Sequence, residues 1–179
     1  MTSNMENIVI IYSTTDGQTK KICDRLVRQL RRQSNVDLFS IDENIKIDLK
    51  SYEKIIIGAS IRYGKHSPLV YDFVEENRQV LLGKFTAFFT VNVVARKPKK
   101  NTPDTNPYMK KFLKFSKWQP TLLGVFAGRI DYPKYKFIDR LMIRLIMFIT
   151  SGPTDTSGTF EFTDWDEVDN FGHTISSAR

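Results

Sequence analysis

Ser13, Thr14, Thr15, Asp16, Gly17, Gln18 and Thr19 form one unbroken run of hydroxyl, carboxyl, amide and glycine residues, and those types at that spacing suit the binding of a phosphate. The run follows the apolar stretch Asn7-Ile-Val-Ile-Ile-Tyr12 and precedes a helical pattern, so it reads as the turn between a buried strand and a helix N-terminus. A phosphate dianion there meets free backbone N–H groups, the positive end of the helix dipole, and hydroxyls from Ser13, Thr14, Thr15 or Thr19. Gly17 lets the backbone approach closely, and Asp16, which would repel the dianion, is expected to cap or orient the loop. Ordinary capping of a strand-to-helix turn uses the same residue types, and the run by itself is equally compatible with that use. The run has neither Gly-x-Gly-x-x-Gly nor the glycine-lysine of a P-loop, which points toward a singly phosphorylated ligand.

Other chemistry is thinly signalled. His66 and His173 are the only histidines, and no Ser/His/Asp or Cys/His arrangement accompanies them. His66 is compatible with handling a substrate proton, although a solvated or capping role is the simpler reading, and His173 reads as structural. No cluster has metal-ligand spacing, so no metal is expected. The single cysteine, Cys23, falls among Ile22, Leu26 and Leu30 and reads as a core side chain.

The elements that must hold these residues follow from periodicity. Residues 18 to 32 place Ile22, Leu26 and Leu30 on one helix face. Val36 to Ile41 alternates as a strand, and Lys54-Ile-Ile-Ile-Gly58 is a β-branched run of the kind covered on both faces in a parallel sheet. Ser67-Pro68 and Asn106-Pro107 each read as an N-cap followed by proline at the first helical position. Leu69, Val70, Phe73, Val74, Val80 and Leu81 supply the buried stripe after the first, and Tyr108, Phe112, Leu113 and Phe115 follow the second. Phe85 to Val91 and Leu122 to Ala127 are strands, and Asp164 with Glu167 forms a capping box for a last helix carrying Trp165, Val168, Phe171 and Ile175. The order β-α-β-β-α-β-α-β, an insertion and a final helix predicts an α/β fold, a doubly wound five-stranded parallel sheet whose ligand crevice lies beyond the carboxyl ends of the strands. Three loops stand at those ends: Ser13 to Thr19, Ser60-Ile61-Arg62-Tyr63-Gly64, and Thr90-Val91-Asn92-Val93-Val94-Ala95-Arg96.

With 179 residues, 41% hydrophobic and 26% charged, the chain suffices for a single domain spanning residues 1–179. No stretch approaches the roughly 20 apolar residues of a membrane span, and the start lacks the layout of a secretion signal, so a cytoplasmic protein is expected. The net charge of +7 implies an anionic partner: nucleic acid, a phospholipid surface or an acidic small molecule. Tyr108, Phe112, Phe115 and Trp118 superficially suit single-stranded nucleic acid, but their helical spacing assigns most of them to the core, and no nucleic acid partner is expected.

The three loops together resemble those of the flavodoxin-like FMN proteins over nearly the whole chain. A closer resemblance is carried by four runs in order: Ser13-Thr14-x-Asp16-Gly17-Gln18-Thr19; Ile57-Gly-Ala-Ser-Ile-Arg-Tyr-Gly64; Val91-Asn92-x-Val94-Ala95-Arg96-Lys97-Pro98; and Thr154-Asp-Thr156 followed by Thr163-Asp-Trp165. On these the chain resembles the HemG-type, quinone-dependent protoporphyrinogen IX dehydrogenases. The resemblance implies a flavodoxin-like fold, FMN as cofactor, oxidation of protoporphyrinogen IX to protoporphyrin IX in haem biosynthesis, and a membrane quinone, menaquinone or ubiquinone, as acceptor. It places Ser13, Thr14, Thr15, Gly17, Gln18 and Thr19 around the phosphate. It lays Ser60, Ile61, Arg62, Tyr63 and Gly64 along the isoalloxazine ring, with Tyr63 stacking and Gly64 at positive φ, and completes the cofactor set with Thr90, Val91, Asn92, Val93, Ala95 and Arg96.

Arg62 would stabilise a reduced flavin or hold a substrate propionate, and a surface salt bridge is its plainer use. The third loop offers valines where electron-carrier flavodoxins usually stack a tyrosine. That leaves one flavin face open to a flat substrate, unless Val93 and Val94 merely continue a buried strand. A phospho-acceptor receiver would need acids where Ser13-Thr14 and Gly58-Ala59-Ser60 stand. An electron carrier with a protein partner, or an NAD(P)H:quinone reductase of the same fold, remains as an alternative.

Residues 129 to 158 form a long insertion in which Lys136, Arg140 and Arg144 fall at four-residue steps beside Phe137, Ile138, Leu141, Met142, Leu145, Ile146, Met147, Phe148 and Ile149. On a helix this gives one cationic edge and a wide apolar face, the layout of a segment lying in a bilayer interface beside anionic headgroups. A core helix or a subunit interface uses the same pattern, so a homo-oligomer stays open. Arg96, Lys97, Lys99 and Lys100 with Lys110, Lys111, Lys114 and Lys117 form a second basic group suited to propionates, lipid phosphates or a solvated helix face. Arg62, Arg96, Lys97, Lys136, Arg140 and Arg144 are thus the candidates for substrate or membrane contact, and the expected location is peripheral, on the cytoplasmic face of the inner membrane.

Overall fold

The computed structural model describes residues 5–41 and 45–178; the N-terminal stretch read above for a secretion signal lies partly outside them. Parallel strands β1 (Glu6–Ser13), β2 (Ser34–Ser40), β3 (Lys54–Ser60), β4 (Phe85–Asn92) and β5 (Leu122–Ala127) form one sheet in the order β2-β1-β3-β4-β5. The helices are α1 (Gln18–Leu30), α2 (Pro68–Glu76), α3 (Arg78–Leu82), α4 (Pro107–Ser116), α5 (Phe137–Ile149) and α6 (Trp165–Ser177). Strand side chains alternate between two apolar layers: Ile8, Ile10, Ile56 and Phe89 pack with Ile22, Leu26, Phe171 and Ile175 of α1 and α6, while Val9, Ile11, Ile57 and Phe88 pack with Val70, Phe73 and Phe112 of α2 and α4. Both faces of the strands are buried, which is why the β-branched runs are nearly continuous.

The register Ser13↔Ala59, Ser60↔Val91 and Asn92↔Ala127 brings the carboxyl ends of β1, β3, β4 and β5 to one edge, and so brings the three loops together. Gly58 is required within β3 because a Cβ there would lie 2.2 Å from Phe89 Cζ. At the opposite edge the buried Lys54 ammonium donates to the carbonyls of Ile175 and Ala178, 2.8 Å each, and pairs with Glu6, satisfying acceptors at the end of α6.

The element order matches the sequence expectation, apart from a helix break and a ribbon, and two side chains also depart from it. The helix after Ser67-Pro68 breaks at Asn77, whose side-chain amide donates to the Phe73 carbonyl at 2.9 Å and competes with the helical ladder. Ser67 makes no side-chain cap bond, whereas Asn106 accepts from Tyr108 and Met109 N–H as a full cap. The insertion leaves and returns along an antiparallel ribbon, β6 (Arg129–Asp131) against β7 (Thr159–Glu161), with α5 at its far end. Phe115, placed in the buried stripe of α4 by its spacing, is 63% exposed.

Candidate functional site

The chain enters α1 through Gly17 at φ +87°, a conformation that strains any side chain but glycine. Thr14 Oγ1 accepts the Gly17 N–H at 3.0 Å and fixes the loop. The first-turn N–H groups of α1 have no intrahelical acceptor. Thr19 is fully buried and its hydroxyl has no hydrogen-bond partner among the described residues, while Gln18 donates to Thr163 Oγ1 at 2.8 Å, and Thr163 in turn donates to the Ala127 carbonyl. Gln18 is therefore a strut between α1 and the end of β5, and Thr19 keeps a free donor.

The second loop closes on itself. Arg62 and Lys65 exchange backbone bonds of 2.9 and 3.2 Å around Tyr63 (φ +50°) and Gly64 (φ +74°), the two left-handed residues of a type I′ turn. The turn points the Arg62 guanidinium at Asp16 (3.3 Å) and at Asp139 of α5 (2.8 Å), with the rings of Tyr63 and Tyr135 at 5.0 and 5.8 Å. Tyr63 is 64% exposed and donates its hydroxyl to Asp139 at 2.5 Å. Burial opposes the charge on Arg62, but the Tyr63 hydroxyl, Asp16 and Asp139 prevail and hold it above its ordinary pKa; burial raises the Asp16 carboxyl despite Arg62.

In the third loop β4 ends at Asn92, and Val93–Arg96 forms a 3-10 turn, so Val93 and Val94 do not continue the strand. Asn92 Oδ1 accepts from Ala95 N–H (3.0 Å) and from the amide of Asn106 (3.1 Å), which ties the loop to the start of α4.

These loops and the insertion enclose a cavity of about 420 Å3, a size typical of small-molecule sites. Thr14, Asp16, Gln18 and Thr19 line one end, Ser60 to Gly64 and Val91 to Val94 the sides. Gly128, Ile130 and Tyr135, not picked out from sequence, add to the walls with Tyr108, and Asp139 and Ile143, also not picked out, join Met142, Ile146 and Met147 of the apolar insertion face to form an apolar roof with one acid. The single acid in the otherwise basic and apolar stretch 137–149 was the available signal for Asp139.

Several sequence candidates stand apart from this lining. Ser13 ends β1, and Thr15 and Gly17 are solvent-exposed. Thr90 is buried with its hydroxyl on His66 at 2.9 Å, and Ala95 is buried beneath the turn. Arg96 donates to the Val93 carbonyl at 3.1 Å and to the carbonyl and hydroxyl of Thr150 at 3.0 and 2.9 Å, which joins the third loop to the end of α5. Lys97 is half-buried, and Lys136 and Arg144 are exposed beside α5's apolar face. Arg140 is not part of an open cationic edge: it donates to the Tyr132 and Tyr135 carbonyls at 3.2 and 3.3 Å and fastens α5 to the preceding turn. His66 is neither solvated nor a cap; it is 3% exposed among Phe88, Phe112 and Tyr71, and burial, aided by Lys111, pushes its pKa down to about 4. His173 is exposed on α6.

A family model described as a flavodoxin domain matches residues 9–157. The protoporphyrinogen IX dehydrogenase (quinone) of Leishmania major is 44% identical over 173 residues, covering 96% of this chain and 75% of that protein. The protein of the same name from Escherichia coli K12 is 40% identical over 169 residues, covering 94% and 93%. The chain belongs to the flavodoxin-like protoporphyrinogen IX dehydrogenase family. Solved flavodoxins confirm the fold: flavodoxin 1 of Bacillus cereus superposes with a TM-score of 0.55 at 14% identity, covering 97% of this chain and 100% of that one. A flavodoxin from the domain Archaea gives 0.52 at 17% identity, covering 95% and 96%. In this family's frame the cavity lies where the sequence expected a ligand, at the carboxyl ends of β1, β3 and β4.

Proposed function

We propose that this chain oxidises protoporphyrinogen IX to protoporphyrin IX with FMN as cofactor and a membrane quinone as electron acceptor. The observation that carries the reading is the cavity joining a donor-rich helix start to two further loops, in a chain 40–44% identical to dehydrogenases of that name. The residues fit FMN: the buried Thr19 hydroxyl is a donor awaiting an acceptor, and a Cβ on Gly17 would meet no atom within 4 Å, leaving the loop open beside the first-turn N–H groups. Bound there, FMN supplies two-electron acceptance from the porphyrinogen and delivery to the quinone.

The chain's own contribution is binding, orientation and exclusion of water. Thr14, Thr19 and the α1 N-terminus hold the phosphate. Ser60 to Gly64 and Val91 to Val94 flank the ring, the third loop presenting valines rather than an aromatic, so a flat substrate has access to one face. Met142, Ile143 and Ile146 of α5 make the far wall apolar, which suits a macrocycle and keeps bulk water from it. Arg62 lines the cavity beside the ring, its charge met by Asp16 and Asp139 when no substrate is bound.

The helix α5 supports a peripheral position on the bilayer that carries the quinone. Phe137, Ile138, Leu141, Leu145, Phe148 and Ile149 are each more than half exposed, with Lys136 and Arg144 beside them for anionic headgroups. At 13 residues α5 is about 20 Å long, too short for the roughly 30 Å hydrocarbon core, and among the described residues no helix is long and apolar enough to cross a membrane. Anaerobic mixing of the FMN-loaded protein with protoporphyrinogen IX tests the reading: the oxidised flavin band should bleach and return on adding quinone. An unchanged spectrum would favour an electron carrier, and bleaching by NADPH alone the reductase.

A further inference from the structure

Two donors in the second loop grip one carboxylate from the insertion. Arg62 Nη2 lies 2.8 Å from Asp139 Oδ2 and the Tyr63 hydroxyl 2.5 Å from Oδ1, one donor to each oxygen, as a carboxylate receptor is built. The grip sits at the cavity rim: Arg62, Tyr63 and Asp139 all line it, and Tyr63 is 64% exposed. The helix bearing Asp139 is weakly held by packing, since Met147 is its only buried residue among those described, so polar ties at Asp139, Arg140 and Thr150 carry much of its attachment. Asp16 also faces Arg62, so the guanidinium already meets two acids and a third carboxylate gains nothing there unless Asp139 leaves.

Resting on the proposed reaction, we infer that Arg62 and Tyr63 form the subsite for one propionate of the porphyrin substrate, that Asp139 fills this subsite when no substrate is bound, and that exchange of the two carboxylates frees the first turn of α5 at the cavity rim while Arg140 and Thr150 keep the rest of the helix in place. Substrate entry and release of that first turn are then one event, because the same two donors serve both anions in turn. Loss of the acid frees the receptor, and loss of either donor weakens both occupants.

The test is equilibrium titration of the FMN-loaded protein with protoporphyrin IX, which carries two free propionates, and with its dimethyl ester, which carries none. The parent should prefer the diacid. Asp139→Asn should tighten the diacid roughly three- to tenfold, as removal of a tethered competitor does, while moving the ester less than about twofold. Arg62→Gln and Tyr63→Phe should erase the preference, and amide exchange in residues 137–141 should quicken when the diacid binds but not when the ester does. Equal binding of diacid and ester by the parent, or an Asp139→Asn protein that binds the diacid no more tightly, overturns the subsite. Oxidation of protoporphyrinogen IX by the parent is scored separately. A diacid preference without oxidation sinks the proposed reaction and keeps the subsite, and oxidation without preference does the reverse.

Discussion

Helices α1 and α5 have the same length, 13 residues, and opposite fates. In α1 the side chains of Ile22, Cys23, Leu26, Val27 and Leu30 are buried against the sheet, while α5, the more apolar of the two, buries Met147 and leaves Phe137 77% and Phe148 74% exposed. Burying one large apolar side chain contributes about 1.5–3 kcal/mol, so α1 converts its apolar surface into fold stability and α5 does not. Apolar content marks what must leave water, and position in the topology decides where it goes. The helix α1 crosses between strands and meets the sheet. The helix α5 hangs from the β6-β7 ribbon, whose small cluster of Ile130, Tyr132, Tyr135 and Met147 has no further face to offer.

Substitutions should separate the two regions. The largest effect is expected from Phe112→Ala, which empties a site stacked on Phe88 at 3.9 Å in the layer beneath α4 and should cost about 3–5 kcal/mol in urea unfolding. Next is acidification. Burial lowers the His66 pKa from 6.5 in the unfolded chain to about 4 in the fold, so the unfolded state binds the extra proton between those values. Stability is full above pH 6.5, is lost as pH falls toward 4, and levels off below, a loss of about 3 kcal/mol that His66→Phe should remove from the pH profile. Gly58→Ala, which drives a Cβ into Phe89, should cost about 1–3 kcal/mol. The smallest effect on stability belongs to α5: Leu145→Gln with Phe148→Gln should stay within about 0.5 kcal/mol per substitution while abolishing pelleting with anionic vesicles. A stability loss as large as that of the core variants would break the contrast between the helices. Lys136→Glu with Arg144→Glu should weaken vesicle binding, and equal pelleting would contradict the docking.

The sheet was legible in the sequence because its signals are local and redundant: β-branched runs for β1 and β3, caps at Asn106 and Asp164, and a helix period at Ile22, Leu26 and Leu30. The first and second loops, which line the cavity, were legible as strand-end loops for the same reason, since strand ends and glycines mark them. Less visible were features made by contact between distant segments. Strands β6 and β7 are too short for any period, and their pairing exists only in space. A charge count treats Arg96 and Arg140 as free cations, yet both are committed to backbone carbonyls. Asp139 gains its meaning only when the insertion folds back over Arg62, and His66 looks polar in sequence while the fold closes aromatic rings around it.

The proposed reaction depends on a phosphate held at the β1-α1 junction to anchor the flavin. Calorimetric titration of the flavin-free protein with FMN and with riboflavin, which lacks only that phosphate, tests it most directly. One equivalent of FMN should bind at least about 100-fold more tightly than riboflavin, a gap of roughly 2.7 kcal/mol, and Thr19→Val should narrow it. Equal affinities for the two flavins, or no saturable FMN binding, would contradict it.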